Sequence, residues 1–193
     1  MFKHLLAAIA LLATSAGAIA TPVQWNSGTG ANGHYYEVIT RGMTFEQAKA
    51  YAASQTFNGM QGYLATVTSA DENAFISGLT GNHWSWLGGE RIGRDNTFQW
   101  IQGPEAGTVF YDDGAVTGVF NAFARNEPNN WRNTNEDAVH IWGGGTWNDL
   151  RKSKKIRTVI EYSAVPAVPL PASGLLLLAG VGAMFLRGRK TKA

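Results

Sequence analysis

The chain predicts an α+β domain in which two short helices flank antiparallel sheets, and three observations carry that expectation. Thr44 with Gln47 and Ser69 with Glu72 each match the Ser/Thr-x-x-Glu/Gln capping pattern that starts a helix. Beyond the second of these the chain offers only short runs of alternating apolar and polar residues, separated by Gly- and Asn-rich loops. The stretch between two targeting-type ends is about 145 residues, one domain's worth with enough apolar content to bury a core. Helices gathered ahead of the strands imply α+β rather than an alternating parallel design.

Taken in order, residues 21–33, with Gly28, Gly30 and Gly33, read as a loose N-terminal lead-in. A strand is expected at 35–40. The first helix spaces Phe45, Ala48, Tyr51 and Ala52 on one face, and the second Ala74, Phe75 and Leu79, with Gly78 or Gly81 near its end. Further strands are expected at 84–88, 97–101, 138–142 and 157–162. The loop from about Gly103 to Ala138 is long for a compact domain, where such loops are normally functional or disordered. Asp112-Asp113 ahead of Gly114 reads as a turn.

The ends bear on location. Residues 1–20 hold Lys3-His4, an apolar run from Leu5 to Leu12 and Ala18-Ile19-Ala20, the build of a secretory signal. Residues 164–171 are an extended Pro-rich linker. Residues 168–193 join Val-Pro-Leu-Pro-Ala, an apolar segment at 172–186, and Arg187, Arg189, Lys190 and Lys192. That tail resembles the PEP-CTERM sorting signals of Gram-negative bacteria, which implies an exosortase-type processing enzyme as partner and a transient inner-membrane stage. The expected destination is the secreted fraction or the cell surface and outer membrane. As a permanent anchor its strictly apolar part is short of the ~20 residues that cross ~30 Å of hydrocarbon. Its charges sit at one end rather than along a face, unlike an interfacial helix.

The formal charge of +2 comes from 16 basic and 14 acidic residues. Lys3 and the four C-terminal basic residues lie in the targeting segments, so the domain carries 16 − 5 = 11 basic against 14 acidic, or −3. A nucleic-acid partner is thereby excluded on electrostatic grounds. One basic cluster remains, Arg151, Lys152, Lys154, Lys155 and Arg157, which reads as a solvated loop or, more sharply, as a contact for acidic exopolysaccharide.

Glu127-Pro128-Asn129, Glu136 and Trp147-Asn148-Asp149 put five oxygen-bearing side chains in about twenty residues, the donor type that Ca²⁺ requires in its shell of 6–8 oxygens. No thiolate competes, because the chain has no cysteine. A cis bond at Pro128 would turn the flanking side chains toward one point. A buried Trp147 would hold the backbone while Asn148 and Asp149 project.

The stretch EPNNWRNTNEDAVHIWGGGTWND resembles the long-loop region of C-type lectin-like domains. Residues 45–76 resemble the two-helix region of that family, Trp86-Leu87-Gly88-Gly89 its Trp-Ile-Gly-Leu element, and Phe98-Gln99-Trp100 its aromatic strand, so the likeness covers roughly 34–163. It implies a lectin-like fold with a long calcium-binding loop, and Ca²⁺ held by Glu127, Asn129, Glu136, Asn148 and Asp149. It also implies carbohydrate bound by Glu127, Asn129, Glu136 and Asn148 through two vicinal hydroxyls. Glu-Pro-Asn resembles the order associated with mannose, glucose, N-acetylglucosamine or fucose. A second metal would draw on Asp95, Asn130, Glu136 and Asp137, but Arg91 stands where a carboxylate is expected. The family's two disulfides are absent, since Ala52, Ile160, Ala138 and a residue near Lys152 fall at the cysteine positions. The function expected is calcium-dependent carbohydrate binding by an exported protein; the alternative is the same fold used for protein contact or matrix architecture without sugar. An enzyme is not expected: His34, His83 and His140 lack zinc-site or nucleophile spacing, and adjacent Glu136-Asp137 does not match a glycosidase pair.

Overall fold

Both helices begin where their caps put them. In the computed structural model, which describes residues 21–164, the Thr44 hydroxyl accepts from the Gln47 amide and the Gln47 side chain reaches back to the Thr44 N–H, closing the capping box ahead of α1 (Phe45–Ser54). Ser69 caps α2 (Ala70–Thr80) by accepting from the Glu72 amide. Its box does not close, because the Glu72 carboxylate turns inward to the Tyr36 hydroxyl at 2.6 Å and to the Thr68 amide at 2.7 Å. That diversion changes the buried face of α2. Glu72, Ile76 and Thr80 are buried, Phe75 and Leu79 are half-buried, and Ala74 faces solvent, which corrects the expected Ala74, Phe75 and Leu79.

The strands, in chain order, are β1 (Val23–Gln24), β2 (Tyr35–Met43), β3 (Thr56–Phe57), β4 (Met60–Leu64), β5 (Ser85–Ile92), β6 (Thr97–Trp100), β7 (Val109–Asp112), β8 (Ala138–Ile141), β9 (Trp147–Leu150) and β10 (Ile156–Tyr162). Hydrogen bonding runs β1-β2-β10-β5-β6-β7, with β4 also on β10 and the β8–β9 pair branching from β5. The β10–β5 contact is parallel and the other ladders are antiparallel. Residues 21–33 are not the loose lead-in expected: Val23 pairs with Tyr36, and Trp25 is buried and stacked on Phe75 at 5.3 Å. Nor is the stretch from Gly103 structureless, because Val109–Asp112 pairs with β6.

Two apolar clusters fill the interior. One gathers Trp25, Tyr36, Ile76, Leu87, Phe98, Trp100, Phe110, Val139, Ile141 and Trp147 between α2 and the β5–β9 strands. The other sets α1 against β4 and β10, and it contains Ala52, Ile160, Ala138 and Leu150. Ala138 faces Leu150 across the β8–β9 ladder, so methyl and butyl groups occupy the ground where the resemblance implied sulfur. Glycine is required at Gly88 and Gly89: a Cβ at the first would meet the Leu64 carbonyl at 2.7 Å, and at the second the Phe110 ring at 2.9 Å. The compact unit closes at Ser163. The expected signal at 1–20 and most of the linker and tail from 165 lie outside the described residues.

Candidate functional site

The long loop returns to β9 through Trp147. Its amide donates to the Ala122 carbonyl at 2.7 Å, its carbonyl accepts from the Ala124 amide at 2.9 Å, and its indole N–H donates to Asn73 of α2 at 2.8 Å. Four aromatic rings, Trp100, Phe110, Phe120 and Phe123, meet the buried indole edge-on at 5.7–6.0 Å. This anchor fixes the start of β9, so that Asn148 and Asp149 face the segment 127–136.

Asp149 is fully buried and its carboxylate is already engaged. One oxygen accepts from the Asn129 amide at 3.1 Å, and the other accepts from the Asn130 amide at 2.8 Å and from the Arg91 guanidinium at 2.9 Å. It therefore braces the loop. Arg91 lies over the Phe98 ring, 3.3 Å from Asp137, and donates to Asn96 and to the Glu136 carbonyl. A fixed guanidinium thus lies between Asp137, one of the residues that the resemblance offered to a second metal, and Asp149. Of that set, the Asn130 side-chain oxygen accepts from the Glu136 amide, and the Asp95 backbone carbonyl accepts from Arg91. Replacing Arg91 with methionine, which keeps an unbranched side chain but no charge, should cost about 3–5 kcal/mol by leaving Asp149 buried without its cation. Urea unfolding checks this, and a loss under about 0.5 kcal/mol would contradict it.

Glu127, Asn129, Glu136 and Asn148 line one cleft of about 390 Å³ together with Trp84, Trp131 and Trp142. The Glu127–Pro128 peptide is cis. The Asn129 side-chain amide donates to one Glu127 oxygen at 2.8 Å, which leaves the Asn129 carbonyl oxygen free. The other Glu127 oxygen is buried with no hydrogen-bond partner. Burial, with Asp149 and Glu136 nearby, pushes the Glu127 carboxyl up to about 7. One Glu136 oxygen accepts from the Trp131 amide at 2.8 Å, and burial raises this carboxyl as well.

Asn148 is aimed by a histidine. The Ile141 carbonyl can only accept, so His140 donates to it through Nδ1 at 3.2 Å, and burial holds the ring neutral by lowering its pKa to about 4. Nε2 is then an acceptor and takes the Asn148 amide N–H at 3.2 Å, while that amide also donates to the Asp149 carbonyl at 2.6 Å. Both contacts use the nitrogen and leave the Asn148 oxygen unpaired. Nothing in the sequence marked His140 for this role, because it acts across the β8–β9 ladder.

These residues fit a calcium ion. An unpartnered buried carboxylate oxygen, crowded by like charge, is a costly arrangement for a protein alone and a suitable one for a hard cation. Asn129, Glu136 and Asn148 each add an oxygen without a hydrogen bond to the same cleft.

A second set, His34, Glu72 and Glu161, also lies within ligand distance, but its carboxylate oxygens are held by protein donors. The Glu161 contact raises the His34 pKa against the pull of burial, and burial raises the Glu161 carboxyl. A folded pKa above the unfolded value near 6.5 means the His34 pairing contributes fully below pH 6.5 and is lost as pH rises through the raised value. Imidazole NMR should give a His34 midpoint above 6.5 that drops in Glu161→Gln. A midpoint at or below 6.5 would contradict the pairing.

The family model described as the lectin C-type domain matches residues 41–160. Halomucin of Haloquadratum walsbyi is 33% identical over 126 residues, 63% of this chain and 1% of that protein. The chain spans less than half the length of the first curated relatives it matches. Among solved structures, the C-type lectin CEL-I from Cucumaria echinata superposes with a TM-score of 0.56 at 22% identity, over 75% of this chain and 98% of its own. A calcium-independent type II antifreeze protein does so with a TM-score of 0.55 at 17% identity, over 77% and 98%. Both likenesses are of fold.

Proposed function

The chain belongs to the lectin C-type domain family, and we propose that within it this protein is an exported, calcium-dependent binder of carbohydrate. The observation that carries the proposal is the buried Glu127 oxygen without a hydrogen-bond partner, on a residue whose cleft Asn129, Glu136 and Asn148 line with further oxygens. Bound calcium would supply a hard cation to which two vicinal sugar hydroxyls can add. The chain's own groups do the rest. Glu127 and Glu136 accept hydroxyl protons, the remaining N–H of the Asn129 amide donates to a hydroxyl oxygen, and Asn148, whose two N–H groups are held by His140 and the Asp149 carbonyl, offers its oxygen to the cation. Asp149, clamped by Arg91 and two backbone amides, holds the loop in register for them. Arg91 takes the second cation's place, so a single calcium is proposed.

The Glu-Pro-Asn order favours mannose-, glucose-, N-acetylglucosamine- or fucose-type sugars. Export to the surface or to extracellular polysaccharide rests on the signal-like start and the sorting-type tail, with an exosortase-type enzyme and the inner membrane as transient partners. The function is binding, without turnover. A single open site of this kind is weak, so multiple copies on one surface supply avidity.

A second reading, contact or architecture without sugar, draws support from the calcium-independent neighbour of the same fold and from the metal-free brace at Arg91. A glycan array with calcium and with EDTA separates the two. Calcium-dependent signal on mannose-type sugars is expected; calcium stabilisation against heat with an empty array would favour the second reading.

A further inference from the structure

Trp84 precedes β5, is 49% exposed, and shares one cleft with the exposed Trp131 and with Trp142. It lies parallel to Trp142 at 6.0 Å with 7° between planes, and beside His140 at 5.0 Å, so it is a fixed shelf rather than a loose side chain. One side of this shelf belongs to the cleft of Glu127, Asn129, Glu136 and Asn148. The other side belongs to a second cleft, of about 480 Å³, lined also by Asn82, His83, Lys155 and Arg157.

The parallel register explains the neighbourhood. Arg157 on β10 lies against Ser85 on β5, so the residues just before them, Ile156 and Trp84, flank the same opening. The charges there are of one sign. Of the basic cluster in the sequence, Lys152 pairs with Glu90 and Glu46, whereas Lys155 and Arg157 have no ion pair among the described residues. No acidic side chain lines this second cleft.

We infer that the ligand is an anionic oligosaccharide bearing uronate groups. Its terminal sugar sits among Glu127, Asn129, Glu136 and Asn148, a following sugar lies across Trp84, and a carboxylate reaches Lys155 and Arg157. This rests on the calcium-dependent sugar reading above and extends it to a substrate class. The chemistry is matched at each step: diol against amide and carboxylate oxygens, ring C–H against an indole face, and carboxylate against guanidinium and ammonium. A neutral chain would leave two cations without partners at the far end of the shelf.

The test compares a β-1,4-mannuronate tetramer with its carboxyl-reduced counterpart, a neutral β-1,4-mannose tetramer, by calorimetry on the whole protein with calcium. Methyl mannoside serves as the single-sugar control. The acidic tetramer should bind about 10-fold tighter than the neutral one, and the preference should shrink with added salt. The Lys155→Gln, Arg157→Gln double variant should bring the ratio to about one. Trp84→Ala should weaken both tetramers by a larger factor than it weakens methyl mannoside. Equal binding of the two tetramers, with methyl mannoside bound, would overturn the inference and leave the proposed function standing. Absence of calcium-dependent binding by any of the three sugars would overturn both. Acidic binding that persists undiminished in EDTA would also overturn the inference, because the basic cleft would then be acting alone.

Discussion

Trp147→Ala should lower the unfolding free energy by about 3–5 kcal/mol, the usual cost of emptying a fully buried indole site. Against a total of about 5–15 kcal/mol for a domain of this kind, that is a large fraction. The loss has several physical sources. Four edge-on aromatic contacts disappear, the Asn73 oxygen loses its donor, and a cavity opens where the long loop meets β9. No disulfide ties this region, since the chain lacks cysteine, so aromatic packing is what holds the loop to the sheet. Trp147→Phe should recover most of the packing and lose mainly the bond to Asn73, about 1 kcal/mol. Urea unfolding distinguishes them, and an alanine variant within about 1 kcal/mol of the parent would mean the indole is not the anchor.

Glu127→Gln should act in two opposite directions. Calcium uptake should weaken by more than about 100-fold, exceeding the 10–100-fold cost typical of removing a group that merely orients a ligand. The calcium-free protein should meanwhile gain on the order of 1 kcal/mol, because a buried carboxylate oxygen without a partner, beside Asp149 and Glu136, is replaced by a neutral amide. Opposite signs for stability and metal affinity are the mark of a site kept for binding. Calcium titration and urea unfolding of the same sample measure both. A variant that is less stable without calcium, yet takes it up normally, would assign Glu127 to the fold instead.

Local chemistry was legible from the residues and long-range chemistry was not. Both helix starts follow from side chains three residues apart, and the oxygen donors from 127 to 149 sit close enough in the chain to be seen together. Tyr36 and Thr68 draw Glu72 inward from other elements, so the buried face of α2 could not be read from its own spacing. The short strand β7 escaped notice because Val109–Asp112 is too brief to show a period and takes its identity from β6. Arg91 read as a departure from a ligand pattern, and its guanidinium lies 3.3 Å from Asp137 and 2.9 Å from Asp149, carboxylates far from it in the chain. Trp84 enters the site from more than forty residues before Glu127, carried there by β5, and only the sheet's register reveals it.

The proposed function depends on one cation held by Glu127, Asn129, Glu136 and Asn148. Calorimetric titration of calcium into the metal-free protein, repeated on Asn148→Ala, tests it most directly. The parent should show one saturable site per chain, and the variant no measurable uptake. Absence of heat in the parent, or an unchanged isotherm in the variant, would contradict it.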